Sequence, residues 1–293
     1  MVFTYVVNIY KNNRLKNRFY FYGMKKGLII IAPLIFCWVS CKNKDTQTSN
    51  SNARNTIKET PAYVKSLARD ADQYPDSVGL RLKLVNAYDS LNNFKEAVNQ
   101  MDALIKKDSG NYGLWYRKGK LLEHAGDTPN AINQYKIALH IYSSPDGVLS
   151  LANLLAETKN KNTLLLCKQV LDLRMGNEYD AHAYFISGVY YARTHDIPRA
   201  LQAFDACINN NFSYIEAYLE KGFIYYDSKQ YAAALKIFKM AANINNTYAD
   251  AYYWMAKTQE ALQQKDEALK NYQAALLLDK SLKEARDGMN RLQ

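Results

Sequence analysis

The stretch that decides the fold is Ile215 to Tyr248, IEAYLEKGFIYYDSKQYAAALKIFKMAANINNTY. Small residues stand at Gly222, Ala234 and Ala241, and large ones at Tyr218, Tyr225, Tyr231 and Phe238. At about 3.6 residues per turn this spacing predicts two amphipathic helices, joined at Asp227-Ser228-Lys229-Gln230. Gly222 and Ala234 would let the two backbones approach closely, while the aromatic rings fill the seam between them.

The pattern recurs at a fixed period of 34 residues. Moving forward one period, Ala249 to Leu282 places Tyr252, Ala256, Ala268, Tyr272 and Ala275 in the same slots. Moving back one, Ala181 to Tyr214 offers Tyr184, Gly188, Tyr191, Ala200, Phe204 and Cys207. A window from Tyr112 carries Trp115, Gly119, Gly126, Ala131, Tyr135 and Ala138. The window from Val78 is weaker, with Val85 in the glycine slot and Leu104 in the last alanine slot. Between Asp146 and Asp180 the unit is one residue longer, and Ala152, Asn153 and Leu166 or Cys167 take the small positions. Self-similarity at such a period is the signature of a repeat architecture, in which each unit buries its apolar face only against its neighbours.

These windows resemble the tetratricopeptide repeat, including the Trp115…Gly119 core, although Lys118 stands where leucine is usual. The resemblance implies an all-α fold, a right-handed superhelical solenoid of helix–turn–helix repeats with terminal capping helices. Six repeats are expected, at 78–111, 112–145, 146–180, 181–214, 215–248 and 249–282, with a capping helix or half repeat over 60–77 and a capping helix over 283–293. Pro61 suits the first turn of the N-terminal cap, and Pro75 falls where the family places its closing proline.

Local punctuation agrees with this register. Ser213, Thr247 and Ser281 each precede an acid by three residues (Glu216, Asp250, Glu284), the spacing of a capping box at a helix start. Asp127-Thr128-Pro129 and Asp196-Ile197-Pro198 read as amino ends of second helices.

The amino terminus follows other rules. Residues 24–41 read MKKGLIIIAPLIFCWVSC, with two lysines, an apolar run and then Ser40-Cys41. This is the order of a secretory signal, and the run is shorter than the about 20 residues needed to span a bilayer. Its end resembles the lipobox of bacterial lipoproteins, with Trp38 departing from the usual leucine. That resemblance implies cleavage before Cys41 and acylation of Cys41, palmitate included; the alternative is an uncleaved anchor. Residues 1–23 are read as a dispensable leader or an upstream start, with Met24 favoured as the true beginning. Residues 41–59 are polar and free of aromatics, which predicts a disordered tether behind the lipidated cysteine.

Charge narrows the function. The net charge is +10, yet Lys11, Arg14, Lys16, Arg18, Lys25 and Lys26 all precede Cys41 with no acid among them. The remaining 32 basic and 28 acidic residues nearly balance, which argues against nucleic acid as a partner. His124, His140, His182 and His195 are scattered, without the clustering that metal ligation needs. Cys167 and Cys207 occupy different slots of neighbouring repeats, so both read as small core fillers rather than a disulfide. No phosphate-binding glycine loop, nucleophile elbow or Cys–His arrangement is present. The reading therefore assigns no catalytic residue, metal, cofactor or small-molecule substrate.

The family resemblance implies a concave groove lined by positions 2, 5, 9, 12 and 13 of each first helix. Carried over, its binding residues are Tyr116, Lys120, Leu154, Phe185, Val189, Leu219, Phe223, Tyr253 and Lys257. An apolar middle with polar flanks is expected there, standing clear of the Gly/Ala/Tyr seam; the alternative is that Leu154, Val189 and Leu219 are covered by the curvature of the superhelix or by a terminal helix. The expected function is a membrane-tethered adaptor that binds a protein or peptide segment in this groove. Its place would be the bacterial cell envelope, lipid-anchored in the outer membrane in preference to the inner, with the repeats periplasmic or surface-exposed. The rivals are a structural subunit of an envelope secretion, motility or outer-membrane assembly machine and, last, an envelope enzyme.

Overall fold

The structure, a computed structural model, describes residues 60–293. The expected leader over 1–23, signal segment, lipidated Cys41 and tether all lie outside the described residues. Among those described, fourteen helices follow one another with no strand. They are α1 (Ala62–Gln73), α2 (Val78–Ser90), α3 (Phe94–Lys107), α4 (Tyr112–His124), α5 (Thr128–Ile141), α6 (Pro145–Glu157) and α7 (Asn162–Asp172). Then come α8 (Asn177–Arg193), α9 (Ile197–Asn210), α10 (Ile215–Asp227), α11 (Tyr231–Ile244), α12 (Ala249–Ala261), α13 (Lys265–Leu278) and α14 (Lys283–Leu292). None is long and apolar enough to cross a membrane.

Two compact units divide these residues, 60–106 with 121–127, and 107–120 with 128–293. In the first, Val64 and Ala71 of α1 are buried with Leu84 and Ala87 of α2. His124 Nδ1 lies 2.9 Å from Asp89 Oδ1, and its ring meets Phe94 edge-on.

In the second unit three helix pairs, α4–α5, α8–α9 and α10–α11, close through one contact type. A Cβ added at Gly119 would stand 2.6 Å from the Tyr135 ring, and at Gly188 2.6 Å from the Phe204 ring. At Gly222 it would press closer still on Phe238. The small residue on the first helix is therefore the seat for a ring on the second, and Tyr135, Phe204 and Phe238 are fully buried. Interiors packed this densely leave no room for an extra methyl at the seat. At the C-terminal end the same contact is reversed: Gly288 of α14 seats Tyr272 of α13.

The turn inside each helix pair also repeats. Asn92, Gly126, Lys159, His195, Lys229 and Gln263 all adopt positive φ, between 58° and 77°. A residue in this left-handed conformation closes a helix C-terminus, and glycine does so without steric cost. Here five of the six carry a side chain, so the turns were identifiable by position rather than by residue type.

The expected capping boxes are corrected. Ser213 donates its amide and hydroxyl to Asn211 Oδ1, Thr247 does the same to Asn245, and Ser281 to Asp279. Each hydroxyl completes a turn with the residue that ends the preceding helix, and no side-chain cap is made at the starts of α10, α12 or α14. An acceptor two residues back reaches the hydroxyl before the next helix begins. Asp196, by contrast, does cap α9 by accepting from the Arg199 amide, with Pro198 in the first turn.

The region around residue 160 departs from the regular plan. Ser144 caps α6 through the Gly147 amide, with Pro145 as the first helical residue. Helix α7 has only 11 residues where the other second helices have 14. Gly176 at φ 103° then lets α8 begin early, with Glu178 and Asp180 in its first turn, where carboxylates favour the positive end of the helix dipole.

Candidate functional site

The first helices of the second unit are α4, α6, α8, α10 and α12, and α8 packs against both α6 and α10. Position 5 of these helices carries Tyr116, Ser150, Phe185, Leu219 and Tyr253. Position 9 carries Lys120, Leu154, Val189, Phe223 and Lys257. Because the two positions are four residues apart, they share one helix face.

The expectation that this face stands clear of the seam is corrected. Leu154, Phe185, Val189, Leu219, Phe223 and Tyr253 are all buried. Phe185 lies 5.9 Å from the Phe204 ring and 4.9 Å from that of Tyr214. Phe223 meets Phe238 at 5.7 Å and Trp254 at 4.7 Å, and Tyr253 meets Tyr272 at 6.1 Å. Each ring leans on the second-helix ring that fills its own repeat's seam, so part of every aromatic contributes to the core. Trp254 sits at position 6, outside the carried-over set, and bridges α10 to α12 through Phe223 and Tyr226.

Tyr116, Lys120 and Lys257 remain partly exposed on this face. Lys120 Nζ lies 5.7 Å from the centre of the Tyr116 ring, whose hydroxyl is hydrogen-bonded to Ser150 at 3.1 Å. Lys257 Nζ lies 5.1 Å from the Trp254 ring and 5.9 Å from that of Tyr253. The same arrangement, an ammonium held over a ring by a four-residue spacing, thus occurs on α4 and on α12. Such contacts hold the lysine stem against the aromatic face while its charge still meets solvent.

Between them lies an ion-pair network that sequence reasoning missed. Arg193 Nε donates to Glu157 Oε2 at 2.8 Å, and Nη2 to the other oxygen at 3.3 Å. Its Nη1 reaches Glu220 Oε2 at 3.4 Å, and the Glu220 side chain is only 5% exposed. One guanidinium therefore ties α6, α8 and α10 together, its planar fork matching a carboxylate in two places at once. The only sequence signal is that Glu157 and Arg193 fall at positions 12 and 13 of their helices; Glu220, at position 6, gives none.

His182 also belongs to this face. Its ring meets Tyr214 edge-on at 5.3 Å. Burial, and secondarily the charge of Lys120, push it down to about 4, so it is neutral at pH 7. Glu260 accepts from the Tyr272 hydroxyl at 2.6 Å and from Arg291 of α14, which fixes the C-terminal cap. Burial pushes the Cys167 thiol up to about 11 and raises that of Cys207; both are free and buried, so neither is an activated nucleophile.

Tetratricopeptide-repeat family models match residues 82–147 and 249–282, near the two ends of the described helices. Tetratricopeptide repeats therefore stand in these two stretches of the chain. The tetratricopeptide-repeat fold also appears in solved structures. A repeat protein from Parabacteroides merdae superposes with a TM-score of 0.64 at 14% identity, covering 78% of this chain and 90% of that one. A chain of the APC/C hetero-tetramer Cut9–Hcn1 aligns with a TM-score of 0.54 at 17% identity, over 79% of this chain and 46% of that one. A thermophilic repeat protein of Thermus thermophilus aligns with a TM-score of 0.51 at 18% identity, over 62% and 98%. At these identities the likeness concerns the tetratricopeptide-repeat fold alone. No curated protein matches the chain by sequence.

Proposed function

We propose that this protein is an adaptor that holds a protein or peptide segment against the first-helix face of its repeats, tethered to a bacterial envelope membrane through acylated Cys41. The observation that carries the binding part is the pair of ammonium-on-ring arrangements, Lys120 on Tyr116 and Lys257 on Tyr253 and Trp254. Both present a cation on this face: beside Lys120 the Tyr116 ring is itself partly exposed, while Tyr253 and Trp254 lie buried beneath Lys257, and rings and cations of this kind recur at interface anchor points. The Arg193 network holds the intervening helices in register, so the anchors keep a fixed separation. Leu154, Phe185, Val189, Leu219, Phe223 and Tyr253 then support the face from beneath. The tether part rests on the apolar run before Ser40-Cys41 in the sequence.

The test is affinity capture from crosslinked envelopes, comparing the natural chain with Tyr116→Ala and Lys257→Ala. Loss of one stoichiometric partner from both variants, with melting temperature unchanged, supports the adaptor. Retention of that partner by both variants defeats it, and capture of a large fixed assembly would favour a structural subunit instead.

A further inference from the structure

Helix α7 is the shortest of the second helices, and its outward side carries apolar residues that the fold leaves open. Leu165 is 67% exposed, Leu173 just past its C-terminus 54%, and Met175 in the following turn 46%. Leu165, Gln169 and Leu173 are four residues apart and so share one face. Gln169 Nε2 donates to Ser143 Oγ at 3.4 Å, which sets the turn after α5 beside this face. Its neighbour Tyr142 is 62% exposed. Single exposed apolar residues need no explanation, but several gathered beside one short helix mark a contact surface.

The charges on this side indicate what covers it. Lys168 and Asp172 are both well exposed and pair with one another at 2.8 Å along the helix. The cation lies toward the amino end of the face and the anion toward the carboxyl end. Turned antiparallel, α7 of a second copy would set its Asp172 against Lys168 and its Lys168 against Asp172. In that register Leu165 of each copy falls about 3 Å along the helix from Leu173 of the other, within side-chain reach, and Gln169 lies about 1.5 Å from the axis. A surface that complements itself in both charge and apolar pattern is what an isologous interface requires.

We propose that this face is a self-association surface, on which a second copy of the chain docks antiparallel through α7. The contact is independent of the first-helix face and would join two adaptors back to back. Its modest extent places it among smaller, reversible interfaces rather than obligate ones.

Disulfide trapping of the full chain tests it. Gln169→Cys sits by the axis and, under mild oxidation, should give a band at twice the monomer mass. The natural chain, whose Cys167 is buried, serves as background, and Lys236→Cys on exposed α11 as an off-site control. Lys168→Asp should lower the trapped yield by about tenfold through like-charge repulsion, and Lys168→Asp with Asp172→Lys should restore it. Equal trapping at 169 and 236, or no recovery in the double exchange, overturns the proposal. Sedimentation gives a check without cysteine: the natural chain should dimerise at on the order of 100 μM and Leu173→Asp should not. A natural chain that stays monomeric there, or one that captures a different protein on α7 in place of itself, also overturns it.

Discussion

Arg193 shows how much one side chain can hold. It donates to Glu157 on one side and to nearly buried Glu220 on the other. Removing it leaves Glu220 in a poorly solvated place without its guanidinium. Because Arg193 itself is partly exposed, Arg193→Ala should cost about 1–3 kcal/mol, below the range for a fully buried pair, and Glu220→Gln should cost less. Chemical denaturation of both variants measures the difference; equal losses would mean that Glu220 is solvated without Arg193. His182 supplies a pH dependence. Its folded value, about 4, lies below the ordinary 6.5, so between these values the unfolded chain binds the extra proton. Stability should therefore fall as pH is lowered through that window, by up to about 3 kcal/mol from this group. His182→Gln should flatten that limb of the stability–pH curve. At this scale the seam was legible in advance, because Gly222 and Phe238 lie within one repeat and differ in size. The Arg193 network was not, since its partners lie 36 and 27 residues away and share no period. Phe223 and Tyr253 were misplaced for a related reason: their contacts with Phe238, Trp254 and Tyr272 depend on how deeply neighbouring helices nest.

At the scale of the element, helices were legible and their ends less so. Amphipathic spacing and the small–large alternation mark α10 to α13 without ambiguity. The turns are another matter, because lysine, histidine and glutamine advertise no left-handed backbone as Gly126 does. Lys229 is held at φ 60°, where a Cβ crowds the following carbonyl. Lys229→Gly should relieve that strain and, after the greater unfolded-chain freedom of glycine, raise stability by about 0.5–1 kcal/mol. A lower melting temperature would show instead that the lysine side chain holds the turn. The Asx turns allow a second check. Asn245 accepts from both the amide and the hydroxyl of Thr247, so Asn245→Ala should cost about 1 kcal/mol and Thr247→Ala less. A larger loss at Thr247 would restore a capping role for that hydroxyl.

For the whole molecule, stability is expected to behave as a sum over repeats and the contacts between them. Phe238→Ala should cost about 3–5 kcal/mol, and Phe223→Ala should approach it because its ring packs against both Phe238 and, edge-on, Trp254. Placement in the cell rests on the amino terminus: Cys41→Ala should leave a longer precursor that takes up no labelled palmitate. The most direct measurement concerns the first-helix face itself. A photo-crosslinking residue is placed at Tyr116 and at Lys257, with Lys236 on the opposite side as contrast, and partners trapped in living cells are identified by mass spectrometry. The account predicts one shared protein trapped from 116 and 257 and not from 236. That protein trapped from 236, with nothing from either first-helix position, would contradict it.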